Sequence, residues 1–243
     1  MRGMQQISNR EKWIKCIGWI AIFHVVFILI WLIINIILSI TVPATFDQGV
    51  PLMEAGLEYH STLVGYVAMD HGSKSIVMLV TILVPIGMYF LLPNKSFASV
   101  TGLIAGVSGF LIYSVSFMLQ AVSVAYAINL YQTHTTEYGR QLAMHVFEWT
   151  MLEGGFSTSL YVLSNLLLAG WVILYSKQLF NENKRLRLFG YIVGGSLIIG
   201  YLTSWVFLMF GHHALHLVTE TIGMLFLLWL GLIGMKLVRG QVN

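Results

Sequence analysis

The stretch IGWIAIFHVVFILIWLIINIILSITV, residues 17–42, decides the fold class. It contains no Lys, Arg, Asp or Glu, and one histidine, His24. A helix needs ~20 apolar residues to cross ~30 Å of hydrocarbon, and a helix satisfies its own backbone hydrogen bonds where no water can. Arg10, Lys12 and Lys15 precede the run, as basic residues precede a secretory signal. The run is nearly twice the ~7–15 residues of a signal core, so it reads as an uncleaved anchor.

Five further runs follow, giving about six spans near residues 14–42, 75–92, 97–131, 156–175, 188–210 and 215–238. The chain of 243 residues is 57% hydrophobic and 9% charged, with a mean hydropathy of +0.80. Average soluble domains are roughly 25% charged. A membrane β-barrel would show short alternating segments instead. The expected fold is all-α, a single polytopic transmembrane domain over residues 1–243. Cys16 is the only cysteine, which excludes an internal disulfide and a thiol-only metal site. No GxGxxG, Walker or GxSxG motif is present, and the +3 charge is accounted for by orientation, so nucleic acid is not an expected partner.

Basic residues set that orientation. Eleven of the 13 Lys and Arg fall on the side of the two termini; only Lys74 and Arg140 fall on the other. This predicts a multi-pass cell-membrane protein with cytoplasmic N- and C-termini. Eight of ten carboxylates and seven of eight histidines then map to the extracytoplasmic half. The positive-inside rule says nothing about histidine, so that bias needs another cause. Segments 43–74 and 132–155, which mix apolar and ionisable residues, read as interfacial helices or a cap over the bundle.

Three constellations carry chemistry. In GHHALHLVTE, residues 211–220, His212, His216 and Glu220 are spaced i, i+4, i+8 and share one helical stripe about 80° wide. His212, His213 and His216 are candidate metal ligands, with Glu220 one turn deeper as ligand, supporting partner or general base. The alternative is a polar interfacial turn. In the second, MHVFE at 144–148, His145 and Glu148 lie i, i+3, a donor pair suited to zinc or non-haem iron, with Met144 and Met151 suited to copper. Glu148, like Glu220, is a candidate catalytic base; the alternative is a solvated cap with its methionines in the core. The third comprises Glu58-x-His60 and Asp70-His71. Asp70 and His71 either take part in metal binding or proton transfer, or Asp70 or Ser73 caps the helix of span two. His134 reads as a loop residue.

Weaker polar stripes run inside the spans: Tyr113, Ser116, Gln120 and Ser123 in span three, and His24, Trp31 and Asn35 in span one. They read as hydrogen bonds between helices or as a polar route beneath an external site. Pro85 is expected to kink span two.

The runs WVILYSK (171–177), LFGYIVG (188–194) and LWLGLIGMKL (228–237) resemble the last third of uncharacterised bacterial multi-pass families, which implies no activity. His212-x-x-x-His216 is similar to the paired-histidine helix of zinc-dependent seven-span hydrolases related to alkaline ceramidases. Matching Ser and Asp positions and one helix are lacking here, so nothing is carried over.

The leading expectation is an extracytoplasmic metal centre of zinc, copper or iron, or a haem held by two histidines. If catalytic, it would act on a membrane-soluble or extracytoplasmic small molecule. The rivals are a proton- or cation-coupled transporter and a non-catalytic accessory or immunity-type subunit. Oligomeric state is not legible.

Overall fold

The computed structural model describes residues 2–42, 52–92, 94–133, 136–151, 155–209 and 216–241. It is 91% helical, with no strand among the described residues. The helices run α1 (Arg2–Thr41), α2 (Leu52–Ser61), α3 (Val64–Thr81), α4 (Leu83–Leu91), α5 (Phe97–Thr133), α6 (Glu137–Met151), α7 (Phe156–Leu179), α8 (Lys184–Met209) and α9 (His216–Val238). Among the described residues six stretches are long and apolar enough to cross a membrane: Arg10–Thr41, Val64–Leu91, Phe97–Thr133, Ser159–Leu179, Lys184–Thr203 and Thr221–Val238. These fit an all-α integral membrane protein. The short helices α2 and α6 fall within the two segments expected to lie outside the spans.

The second span departs most from its expected edges. It begins at Val64, not near residue 75, and so takes Asp70, His71 and Lys74 into the helix. Asp70 and Ser73 are therefore interior residues of α3 and cap nothing; the Ser73 hydroxyl donates to the Asp70 carbonyl at 3.1 Å. Further along, helical hydrogen bonding lapses at Ile82, between α3 and α4. Pro85 has no amide hydrogen to donate to the carbonyl four residues back, and Ile82 N instead reaches Leu79 O at 3.3 Å.

Two compact units emerge from the packing: Met1–Phe27, Met78–Ile112 and Val162–Asn243 in the first, Ile28–Val77 and Tyr113–Tyr161 in the second. In the first, α1 crosses α9 at Gly18 and Gly234, where a Cβ on Gly18 would stand 2.7 Å from the Gly234 carbonyl oxygen. Only glycine permits that approach, the way small residues let membrane helices meet. The core of this unit is aromatic. Trp171 meets Trp229 edge-on at 5.2 Å and Phe110 at 5.5 Å, and both tryptophans are fully buried. His24, also fully buried, has its Nδ1 2.7 Å from Thr81 Oγ1.

In the second unit, α2 packs on α6 over Leu57, Val67, Val124, Ala127, Ile128, Ala143 and Phe147. Two serine clasps hold α5. Ser75 and Ser114 each donate a hydroxyl to the other's carbonyl at 2.8 Å. Ser116 donates to the Ser157 carbonyl at 2.8 Å, and Ser157 returns the bond at 3.1 Å. Each clasp satisfies buried hydroxyls that lipid could not, and each ties α5 to a neighbour, α3 in one case and α7 in the other.

Candidate functional site

The site lies on α3, inside the second unit. Tyr66, Asp70 and Lys74 are spaced i, i+4, i+8 and so share one helix face. Asp70 is six residues into its span, about 9 Å along the axis at the helical rise. Its side chain is 7% exposed and that of Lys74 14%. The Lys74 ammonium lies 2.6 Å from one Asp70 carboxylate oxygen and 2.8 Å from the other. Burial of two charges costs several kcal/mol per ion in effect. Close pairing within one helix offsets much of that cost, and it lets a charged stretch run into an otherwise apolar span.

Aromatic rings wall the pair. Lys74 Nζ is 5.8 Å from the centre of the Phe117 ring, where the ring's negative face attracts a cation. His71 stacks on the same ring at 5.8 Å. Phe117 stacks in turn on Tyr113 at 5.0 Å, and Tyr113 meets Tyr161 at 4.8 Å. His71 Nδ1 is buried and makes no hydrogen bond to any described residue. One turn before Asp70, the Tyr66 hydroxyl donates to Asn35 Oδ1; Trp31 packs against the Tyr66 ring at 5.7 Å. Asn35, Tyr66, Asp70, Lys74 and His71 are the polar and titratable groups of this region, with hydrogen bonds joining Tyr66 to Asn35 and Lys74 to Asp70.

Above it stands His60. The Gly56 carbonyl can only accept, so the 2.7 Å contact to His60 Nδ1 places the ring proton on that nitrogen. The ring meets Phe147 of α6 at 5.2 Å. Burial lowers the His60 pKa, and the bond to Gly56 opposes that shift in part. The Tyr131 hydroxyl lies 3.1 Å from Glu54 and 3.4 Å from Glu58.

The expected metal ligands are placed unevenly. His145 Nδ1 lies 3.6 Å from Glu148 Oε2, with side-chain exposures of 74% and 44%. The i, i+3 spacing thus brings them together, but on an exposed face, while Met144 and Met151 pack toward the core of α2 and α6. Asp70 and His71 lie on α3, with the Asp70 carboxylate turned to Lys74. His212, His213 and His134 lie outside the described residues, and His216 and Glu220 are described as backbone alone, in α9. Among the described residues no group of three or more His, Cys, Asp or Glu is arranged to hold a metal ion.

Lys74 is the residue that sequence reading passed over. The signal was available: Asp-x-x-x-Lys on one helix is a pairing spacing. Starting span two at residue 75 placed Lys74 in a loop and hid it.

No protein-family model, curated protein or solved structure matches the chain. Its function is therefore read from its own residues.

Two outcomes are expected from this geometry. Asp70→Leu or Lys74→Met leaves one buried charge alone and costs about 3–5 kcal/mol, whereas the double variant is near neutral, because no charge is then stranded. Unfolding of the purified protein in detergent, with all three variants in one series, measures this. For His60, the folded ring resists a proton that the unfolded chain accepts. Stability is therefore fully present above the ordinary histidine value, about 6.5, and falls as pH drops below it toward the lowered folded value. Hydrogen exchange of α6 amides, corrected for intrinsic rates, should show protection decreasing on acidification in the wild type and much less in His60→Gln.

Proposed function

We propose that the protein is a proton- or cation-coupled membrane carrier whose exchange element is the Asp70–Lys74 pair of α3. The observation that carries this reading is the ion pair itself, buried within a span. Ionisable residues inside membrane helices are rare, pair with one another and mark ion and proton pathways. A hydrophobic pair of similar volume would stabilise the helix equally well, so stability alone does not account for it. The chemistry is competitive. Asp70 is paired with the Lys74 ammonium; an arriving proton or small cation takes the carboxylate and releases the ammonium from the pair. His71, with a ring nitrogen uncommitted to any described residue, is placed to pass a proton to or from this group. Tyr66 extends the polar set along the same face of α3, and Asn35 of α1 accepts its hydroxyl. The carrier is read as lying in the cell membrane with both termini cytoplasmic, supported by the distribution of 11 of 13 basic residues.

A metal or haem centre at the segment 211–220 is the second reading, supported by the His212-x-x-x-His216 spacing in the sequence. Glu220 would be its base or third ligand, while His145 and Glu148 on α6 form a separate donor pair.

Flux into liposomes tests the first reading. With protein reconstituted and a pH-sensitive dye inside, an imposed sodium or potassium gradient should drive proton movement, and Asp70→Asn should reduce it to the protein-free background. Unchanged flux in Asp70→Asn would remove the pair from the mechanism. Elemental analysis and an optical spectrum test the second: stoichiometric zinc, copper or iron, or a Soret band, lost in His212→Ala/His216→Ala, is its expected outcome, and metal at background with no Soret band contradicts it.

A further inference from the structure

A second feature, in the first unit, stands apart from the α3 site. A cavity of about 1020 Å³ opens among the ends of five helices. Arg10 near the start of α1, Lys184 and Arg185 at the start of α8, and Lys236 near the end of α9 all line it. One carboxylate, Glu182, lines it among the described residues, leaving three net positive charges. No described carboxylate lies within ion-pair distance of any of the four cations. The cations are therefore available to an anion from outside the chain.

The uncharged lining is mixed: Gln178, Asn181, Asn183 and Gln241 are polar, and four residues are apolar. Leu91 and Leu92 follow from α4, Leu179 and Phe180 from α7, and Leu92 and Phe180 are buried. These residues sit where spans terminate, Leu91 and Leu179 being the last residues of theirs and Lys184 the first of its own. Span ends lie at the level of lipid headgroups. A cavity with cations beside an apolar floor at that level matches an amphiphile with a charged head better than it matches a soluble anion. The tendency of basic residues to gather on one side accounts for their side. It does not account for four of them, from three helices, meeting in one concavity, while Lys12, Lys15 and Lys177 do not line it.

We propose that this cleft binds the headgroup of an anionic phospholipid, with Lys184, Arg185, Arg10 and Lys236 on the phosphate and Leu91, Leu92, Leu179 and Phe180 against the glycerol and upper acyl chains. Basic pockets between transmembrane helices serve anionic headgroups in this way. The turn that forms one rim is held by Arg187, whose guanidinium donates to the Asn181 side chain at 2.8 Å and its carbonyl at 3.3 Å.

Thermal unfolding of the full chain in detergent, titrated with phosphatidylglycerol, phosphatidylcholine or inorganic phosphate, tests the assignment. Phosphatidylglycerol should raise the melting temperature saturably, and phosphatidylcholine and phosphate should not. K184Q/R185Q should weaken the phosphatidylglycerol response by about tenfold or more in apparent affinity, while K15Q/K177Q, which removes the same charge outside the cleft, should leave it intact. If K184Q/R185Q does not fold, K236Q, from a different helix, carries the same comparison with K15Q. The proposal is overturned if phosphatidylglycerol produces no rise, or if phosphatidylcholine or phosphate alone reproduces it. It is equally overturned if the variants outside the cleft lose as much as those within it.

Discussion

Hydrocarbon offers no hydrogen bonds, so every polar group carried into a span has to find its partner within the protein. The organisation of this chain follows from that constraint. Asp70 and Lys74 meet it by neutralising each other within one helix. Ser75, Ser114, Ser116 and Ser157 meet it by exchanging hydroxyl-to-carbonyl bonds across helices. Tyr66 uses Asn35, and His24 uses Thr81. Each solution also fixes a rotation: the face of α3 bearing Asp70 and Lys74 is buried, and the faces of α5 bearing Ser114 and Ser116 are turned to neighbouring helices. Apolar residues, by contrast, are free to face lipid, as Ile33, Ile37 and Ile40 do along α1.

The same constraint separates structure from function. A serine clasp costs little, satisfies itself, and needs no further explanation. A buried ion pair is different, since its Coulomb attraction roughly cancels what desolvation costs. It can, however, exist in two states, closed between its own members or opened by an incoming ion, which a serine clasp cannot. The Phe117 ring, itself stacked on Tyr113, lies 5.8 Å from the Lys74 ammonium and walls the pair. His71 on the same wall adds a ring nitrogen, Nδ1, that makes no hydrogen bond to any described residue.

Much of the fold was legible in the residues. The apolar run at 17–42 reads as a span by length alone, and the mixed segments around Leu57 and Phe147 read as interfacial helices or a cap, where the structure places α2 and α6. Their shared core is visible only in the packing. The edge of span two was not legible by hydropathy. A hydropathy window counts Asp70 and Lys74 as two penalties, whereas at i, i+4 they act as one nearly neutral unit, and the helix extends through them to Val64. That same error turned Asp70 into a cap and Lys74 into a loop residue, and it concealed the pair. The polar stripe in span three was legible as a pattern but not in its meaning: Ser116 bonds to Ser157, Tyr113 packs on Tyr161, and only three-dimensional packing assigns those partners. The histidine-rich segment 211–216 is the most conspicuous feature of the sequence, and its His212 and His213 lie outside the described residues.

The central claim is that Asp70 is an ionised carboxylate, paired with Lys74, inside a membrane span. Infrared spectroscopy of the purified protein near neutral pH, wild type minus Asp70→Asn, reads this directly. The difference spectrum is expected to carry an ionised-carboxylate band, and the same subtraction made in the Lys74→Met background is expected to carry a protonated-carboxyl band instead. A protonated carboxyl band from Asp70 in the wild type, or an ionised band that persists unchanged in Lys74→Met, would contradict it.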